Sequence, residues 1–233
     1  MAKQAMKTEQ DPRSAGHRTT PSVTAMTITQ APTMTAIKSL TLEAPDPTAA
    51  NAFYSAFGLD TYVRVRAGDP ATTGFRAFTL SLVVSQPATV DAFVGAALDA
   101  GATSLKPVTK SFWGYGGVLR APDGTLWKIA TSAKKDTGPA TRHIDDLVLL
   151  LGATDVAASK QFYVDHGLTV ARSFGRKYVE FATASGVKLA LYGRRALAKD
   201  AGVSPDGTGS HRIIIGSPAG PFTDPDGFTW EAA

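Results

Sequence analysis

The sequence predicts an α+β fold built from two similar domains in tandem, and three observations support this prediction. The pattern Asp-x₆-Phe-Tyr-x₃-Gly-Leu occurs twice, at residues 46–59 and 155–168. An Asp-Gly turn precedes a tryptophan by the same distance in both halves, at residues 123–127 and 226–230. The remaining segments alternate between strand-like and helix-like hydrophobic patterns. Matched signatures in the same order indicate a duplication.

The first half begins with a strand followed by a helix. Residues 36–43 alternate apolar and polar side chains, as a half-buried strand does. Asp46 is a favourable N-cap for the next helix, and Gly58 is suited to end it. The other predicted elements of this half are strands at residues 73–85, 105–110, 117–120 and 126–130 and a helix at residues 90–100.

The second half repeats this order. A strand is predicted at residues 144–151, and the following helix begins near Asp155 and ends at Gly167. The other predicted elements are strands at residues 168–173, 178–183, 187–192, 211–215 and 228–231, with a short helix within residues 193–209.

Composition sets the domain boundaries. Residues 1–35 are rich in Thr, Gln, Ala and Pro without a hydrophobic period, which predicts a disordered tail. Residues 132–142 are polar and predict a linker. Domain 1 is therefore expected at residues 36–131 and domain 2 at residues 143–233.

Composition also limits the function classes. The chain is 43% hydrophobic and 19% charged, as is usual for soluble proteins, and it has no cysteine for thiolate metal sites or disulfides. Its net charge of +4 forms no basic stripe of the kind that binds nucleic acid. No apolar run suggests a membrane span or a signal peptide. We expect a cytoplasmic monomer or homodimer that binds a small molecule, with neither nucleic acid nor membrane as partner.

The repeated strand, helix and Asp-Gly turn resemble the vicinal oxygen chelate superfamily, which includes glyoxalase I, bleomycin-resistance proteins and extradiol dioxygenases. The resemblance covers residues 36–232 and implies domains made of two βαβββ units, each domain with a sheet curled around a pocket. The segment after Leu59 is short compared with the segment after Leu168, and residues 216–222 leave no room for a helix and two strands. We therefore expect domain 1 to be shortened in its first unit and domain 2 in its last.

The resemblance implies metal ligands on the first and last strands of the units. In domain 2, His211 and Glu231 match these positions, and the third ligand is Asp146, or Val148 if the intervening turn has no insertion. The fourth position falls near Ala190, which cannot coordinate. Such a set suits a divalent ion: Zn, Ni, Mn or Fe.

The corresponding residues of domain 1 do not support a metal. They are Ser39, Thr79 and Lys128, none of which is a usual ligand. In domain 2 a simpler interpretation also stands: His211 only closes the turn before its strand, and Glu231 is a solvated carboxylate.

Aromatic residues are the second candidate site. In the binding members of the superfamily, aromatic side chains line the cavity and stack on planar ligands. The resemblance implies this role for Trp113 and Tyr115, within residues 111–117, and for Tyr178 and Tyr192. The alternative for residues 111–117 is a tight hairpin whose aromatic rings pack on the sheet.

Two functions follow from these sites. In the first, a metal held by His211, Glu231 and Asp146 stabilises an enolate-like intermediate while Glu231 moves the proton, as in a lyase or isomerase acting on vicinal oxygens. A dioxygenase would need a second histidine and ranks lower. In the second, the protein binds a planar, antibiotic-like molecule without a metal. The sequence leaves open whether it is an enzyme, and a purely structural protein is a third possibility.

Overall fold

The computed structural model describes residues 36–68, 72–112, 114–183 and 186–233. These residues fall within one compact unit. The predicted tail, residues 1–35, and Trp113 lie outside the described residues. In the described part of the chain, no helix is long and apolar enough to span a membrane.

Four related units follow one another along the chain. The first contains β1 (Ser39–Ala44), α1 (Pro47–Phe57), β2 (Arg64–Ala67) and β3 (Thr73–Gly74). The second contains β4 (Phe78–Val83), α2 (Pro87–Asp99), β5 (Thr103–Ser111), β6 (Gly114–Arg120) and β7 (Leu126–Thr131). The third contains β8 (Asp146–Ala153), α3 (Val156–Asp165), β9 (Val170–Phe174), β10 (Tyr178–Phe181) and β11 (Lys188–Gly193). After it come α4 (Arg194–Ala201) and β12 (Gly207–Thr208), and the fourth unit contains β13 (Ile213–Ser217), β14 (Phe222–Thr223) and β15 (Thr229–Ala232).

The predicted ends of α1 and the predicted start of α3 are confirmed, whereas α2 begins three residues before its predicted start, at Pro87, and α3 ends at Asp165, before Gly167. The Asp46 carboxylate accepts a hydrogen bond from the backbone N–H of Ala49 at 2.9 Å, and Asp155 caps α3 in the same way. Gly58 ends α1 with a φ of 85°, in the left-handed region that glycine adopts without steric cost.

The strands form two main sheets, each taking one unit from each half of the chain. The eight-stranded sheet has the order β5-β6-β7-β4-β8-β11-β10-β9 and joins the second unit to the third. The five-stranded sheet has the order β14-β15-β13-β1-β2 and joins the first unit to the fourth. In the first unit β1 runs parallel to β2, and in each of the other three units the first strand runs parallel to the last. The sheets therefore do not divide at the linker, residues 132–142.

Helices and turns, in contrast, pack within each half. The ring of Tyr54 in α1 lies 5.9 Å from that of Trp127, and its hydroxyl donates to Asp123 in the Asp-Gly turn. The second half repeats the ring contact, because Tyr163 lies 5.6 Å from Trp230. The motifs that reveal the duplication are thus the two ends of one tertiary contact.

The predicted shortening of the outer units is confirmed. The first unit passes from α1 to β2, which pairs in parallel with β1 and so takes the place of a last strand. Between Gly216 and Phe222 the described residues contain no helix, although Phe222–Thr223 forms a short strand that the sequence did not predict. The fourth unit is completed within this chain by β1, whose Ser39 lies opposite Gly216 of β13.

The linker is held in place by Gln86, which is only 2% exposed. Its side-chain oxygen accepts hydrogen bonds from the backbone N–H groups of Thr137 and Gly138, and its amide nitrogen donates to the carbonyl oxygen of Gly138. Asp136 accepts from the backbone N–H of Ala88 and so caps α2. The linker is therefore part of the packed structure.

Replacing Gln86 with Ala tests this role. Because the linker would lose its hydrogen bonds to this buried side chain, we expect the free energy of unfolding in urea to fall by roughly 2–4 kcal/mol. Gln161→Ala is the matched control, since Gln161 is exposed and bonds only Asp165 on the same helix; its effect should stay within about 0.5 kcal/mol. Equal effects of the two substitutions would contradict this account of the linker.

Candidate functional site

The eight-stranded sheet has two chemically different faces. Trp127 of β7 packs against Tyr54 and Phe57 of α1 on one of them, the outer face. Successive side chains of a strand point to opposite faces, so Lys128 lies on the other, which we call the inner face. Strand register aligns Lys128 with Ser81, Val148 and Lys188, so these residues form a row across the inner face.

Helix α4 covers part of the inner face. Its residue Asp200 accepts from the Lys128 ammonium at 2.7 Å. The ammonium of Lys106 donates to the carbonyl oxygens of Lys199 and Asp200 at 2.8 and 2.6 Å. These carbonyl groups lie at the C-terminal end of α4, where the negative end of the helix dipole stabilises a cation. Leu197 of the same helix is fully buried. Two lysines of the sheet thus fasten the C-terminal end of α4.

The inner face does not carry a donor set for a divalent ion. At the positions implied by the family resemblance it presents Thr79 on β4, Lys128 on β7, Val148 on β8 and Ala190 on β11. An ammonium group repels a cation, and the two aliphatic side chains have no donor atom. These residues do not fit a metal.

His211 is engaged on both sides of its ring. Its Nδ1 lies 2.7 Å from the carbonyl oxygen of Arg76, and its Nε2 lies 3.0 Å from that of Asp226. The ring also stacks on Phe228 with centroids 3.9 Å apart. A neutral ring can donate to one of these oxygens and a protonated ring to both, so neither nitrogen is directed at open space. This geometry matches the simpler interpretation of His211 as a residue that closes its turn.

The structure does not bring the three predicted metal ligands together. Glu231 belongs to the five-stranded sheet and lies 3.3 Å from the guanidinium of Arg66. Asp146 belongs to the eight-stranded sheet and lies 2.8 Å from the ammonium of Lys188. No group of three or more His, Asp or Glu side chains among the described residues could hold a metal ion. The separation arises because the third unit pairs with the second, and the fourth, which carries His211, pairs with the first.

Two of the predicted aromatic residues do meet. Tyr178 and Tyr192 are direct cross-strand partners on the inner face, with ring centroids 6.0 Å apart at a steep angle. The hydroxyl of Tyr178 donates to Glu180 at 3.3 Å. Burial and the nearby Glu180 carboxylate raise the pKa of Tyr178 to about 12, so it stays protonated at neutral pH.

Tyr115 has a different environment. Its hydroxyl donates to Asp91 of α2 at 2.8 Å, on the outer side of the sheet. This hydrogen bond and burial raise the pKa of Tyr115. The structure therefore separates Tyr115 from the pair formed by Tyr178 and Tyr192. Trp113 lies outside the described residues.

A cavity of about 470 Å³ lies on the inner face beside the end of α4. Its lining includes Thr109, Ser111, Gly116, Lys128, Ala130 and Asp200. Tyr115 borders it but directs its hydroxyl to Asp91. The volume is typical of small-molecule sites, and Lys128 and Asp200 are its charged groups. From the sequence, Lys128 is identified only as a residue that does not suit a metal, and Asp200 is not identified as a site residue.

Comparisons with known proteins support the fold. No family model and no curated protein matches the sequence. Glyoxalase I from Zea mays matches 85% of this chain and 90% of its own, with 12% identity and a TM-score of 0.52. A proposed dioxygenase from Bacillus subtilis subsp. subtilis str. 168 matches 80% of this chain and 71% of its own, with 13% identity and a TM-score of 0.50.

The chain has the vicinal oxygen chelate fold. This confirms the predicted α+β architecture of βαβββ units. At such low identities the likeness concerns the fold alone, and this fold hosts many chemistries. The function must therefore be argued from the residues of the two faces.

The Asp-Gly turns of this vicinal oxygen chelate fold are structural. Asp224 is 5% exposed and accepts from the backbone N–H groups of Asp226 and Phe228 and from the hydroxyl of Tyr163. Burial is the main reason that the pKa values of both Asp224 and Tyr163 are raised. Their contact joins α3 to the turn before the last strand, and neither residue lines the inner-face cavity.

We predict that the purified protein does not retain stoichiometric Zn, Ni, Mn or Fe after loading and dialysis. The reason is that both ring nitrogens of His211 lie against carbonyl oxygens and that Glu231 and Asp146 belong to different sheets. Elemental analysis of the wild type and of His211→Ala and Glu231→Gln measures this directly. One equivalent of metal in the wild type that is lost in either variant would contradict the prediction.

Proposed function

We propose that this protein binds a small planar molecule with an acidic group in the inner-face cavity, without a metal ion. The observation that carries the proposal is Lys128, an ammonium group at a position where a metal ligand is implied, on the wall of a cavity of about 470 Å³. A cation in a partly enclosed site is suited to a carboxylate or an enolate oxygen.

The partner of Lys128 supports an exchangeable site. Its ion pair with Asp200 joins two side chains that are 39% and 41% exposed, and pairs of this kind contribute little to stability. A ligand carboxylate can therefore replace Asp200 at Lys128 at small cost. The α4 end stays fastened by Lys106, which binds its carbonyl oxygens.

The rest of the cavity suits a flat organic body. The hydroxyl group of Thr109 offers a hydrogen bond, while Val83 and Ala130 are apolar walls. Gly116 leaves the strand surface bare, because a side chain there would collide with the carbonyl oxygen of Ile129. A planar ring can approach the backbone at this point.

The metal-dependent lyase or isomerase has weaker support. It requires His211 and Glu231 to leave their present partners and to meet Asp146 from another sheet. No described feature favours that rearrangement. Binding by Lys128 needs only the exchange of one exposed carboxylate.

A panel of aromatic carboxylic acids and their matching amides tests the proposal. Binding is followed by tryptophan fluorescence, since Trp127 precedes Lys128 in the sequence. At least one acid should bind saturably, and its amide should bind roughly tenfold or more weakly, because it lacks the charge.

Matched variants locate the site. Lys128→Met should weaken binding of the acid by roughly tenfold or more, whereas Lys135→Met, a change at an exposed linker lysine, should leave it unchanged. The proposal is contradicted if no acid of the panel binds, or if both variants bind as the wild type does.

A further inference from the structure

A second cavity, of about 370 Å³, lies at the other end of the same sheet. It is formed by residues around β3 and β4, the turn between β6 and β7, and the segment after α4. It shares no lining residue with the inner-face cavity. Its lining includes Phe75, Arg76, Phe78, Arg120, Thr125 and Ser204.

Two arginines in and beside this cavity have buried N–H groups without acceptors. Arg76 donates through one terminal nitrogen to the carbonyl oxygen of Asp123, but its other terminal nitrogen is buried and unpaired. Arg212 is 4% exposed, and its Nε is also buried and unpaired. Within the described ranges neither arginine forms an ion pair with a carboxylate. Buried charges without partners are costly, so each such group requires an explanation.

The nearest acidic groups are hydrogen-bonded to other residues and form no ion pair with either arginine. The Asp123 carboxylate already accepts from the hydroxyls of Tyr54 and Thr125. Asp206, an acidic residue of the lining, accepts from the hydroxyl of Ser204. Burial and the positive charge of Arg212 lower the pKa of Arg76, while Asp123 acts in the opposite direction. Among the charged residues that line the cavity, two are arginines, Arg76 and Arg120, and one is acidic, Asp206.

The backbone holds both arginines in place at a cost. Apart from glycines, the described residues with positive φ are Ala77, at 60°, and Arg212, at 55°. Ala77 directly follows Arg76 in the chain, and Arg212 is the second of the two arginines. Strain of this kind persists where the surrounding structure enforces it, often at ligand sites. Gly124 leaves room for the Arg76 guanidinium, since a side chain there would come within 2.7 Å of it.

We infer that this second cavity binds the phosphoryl group of a small organic phosphate. Arg120, which is exposed and lines the cavity, makes the first contact, and a rotation of the Arg76 guanidinium turns its unpaired N–H groups toward the phosphoryl oxygens. Arginine forks match the geometry of tetrahedral oxyanions. Phe75 and Phe78 form an apolar wall for the organic part.

Titration calorimetry with phenyl phosphate and with inorganic phosphate, at constant ionic strength, tests this inference. Phenyl phosphate should bind with a stoichiometry of one. Tighter binding of phenyl phosphate identifies an organic phosphate as the preferred ligand, and equal binding identifies free phosphate through the same phosphoryl chemistry. Both results support the site. If neither anion binds saturably, the inference is overturned.

Variants separate this site from the one at Lys128. Arg120→Gln should weaken phosphate binding by about tenfold or more without a change in melting temperature, because Arg120 is exposed. Arg64→Gln, at an exposed arginine of the other sheet, and Lys128→Met should leave it unchanged. Binding that survives Arg120→Gln, or that is lost in Lys128→Met, overturns the inference. Failure here leaves the test with carboxylic acids unaffected.

Discussion

The antiparallel pairing of β4 with β8 is the interaction on which the rest of the structure depends. It places Leu80 opposite Leu149 and joins the two complete units into one sheet across the linker. The short first and fourth units then complete each other through β1 and β13. As a result, one sheet carries Lys128 and Asp146 and the other carries Glu231. The pairing of β4 with β8 therefore determines which of these charged residues share a sheet.

Charged residues near the expected ligand positions are paired with opposite charges. Lys128 is paired with Asp200 on the helix above the sheet, Asp146 with Lys188 on the neighbouring strand, and Glu231 with Arg66 across the smaller sheet. In our proposals, the exchangeable cation Lys128 binds an acidic group on the inner face, and the arginines at the other end of the sheet, two of which have an unpaired buried nitrogen, form a second cationic site.

Much of the fold could be predicted from the sequence, because its signals are local. Asp46 and Gly58 mark helix ends through backbone chemistry, and the repeated Phe-Tyr and Asp-Gly motifs mark the duplication. Strand partners could not be predicted, because the apolar residues of β4 and β8 show that each strand is buried but do not specify its neighbour. His211 matched a ligand position by spacing, but its engagement by two distant carbonyl oxygens is a tertiary property. The location of α4 over Lys128 is also a tertiary property and could not be predicted from the sequence.

A crystal structure of the protein with a bound aromatic carboxylic acid, grown in the presence of Zn²⁺, tests the central claim most directly. The account predicts the carboxylate within hydrogen-bond distance of the Lys128 ammonium, with Asp200 displaced and no ion at His211. A zinc ion coordinated by His211 and Glu231, with the acid bound to it, would contradict the account.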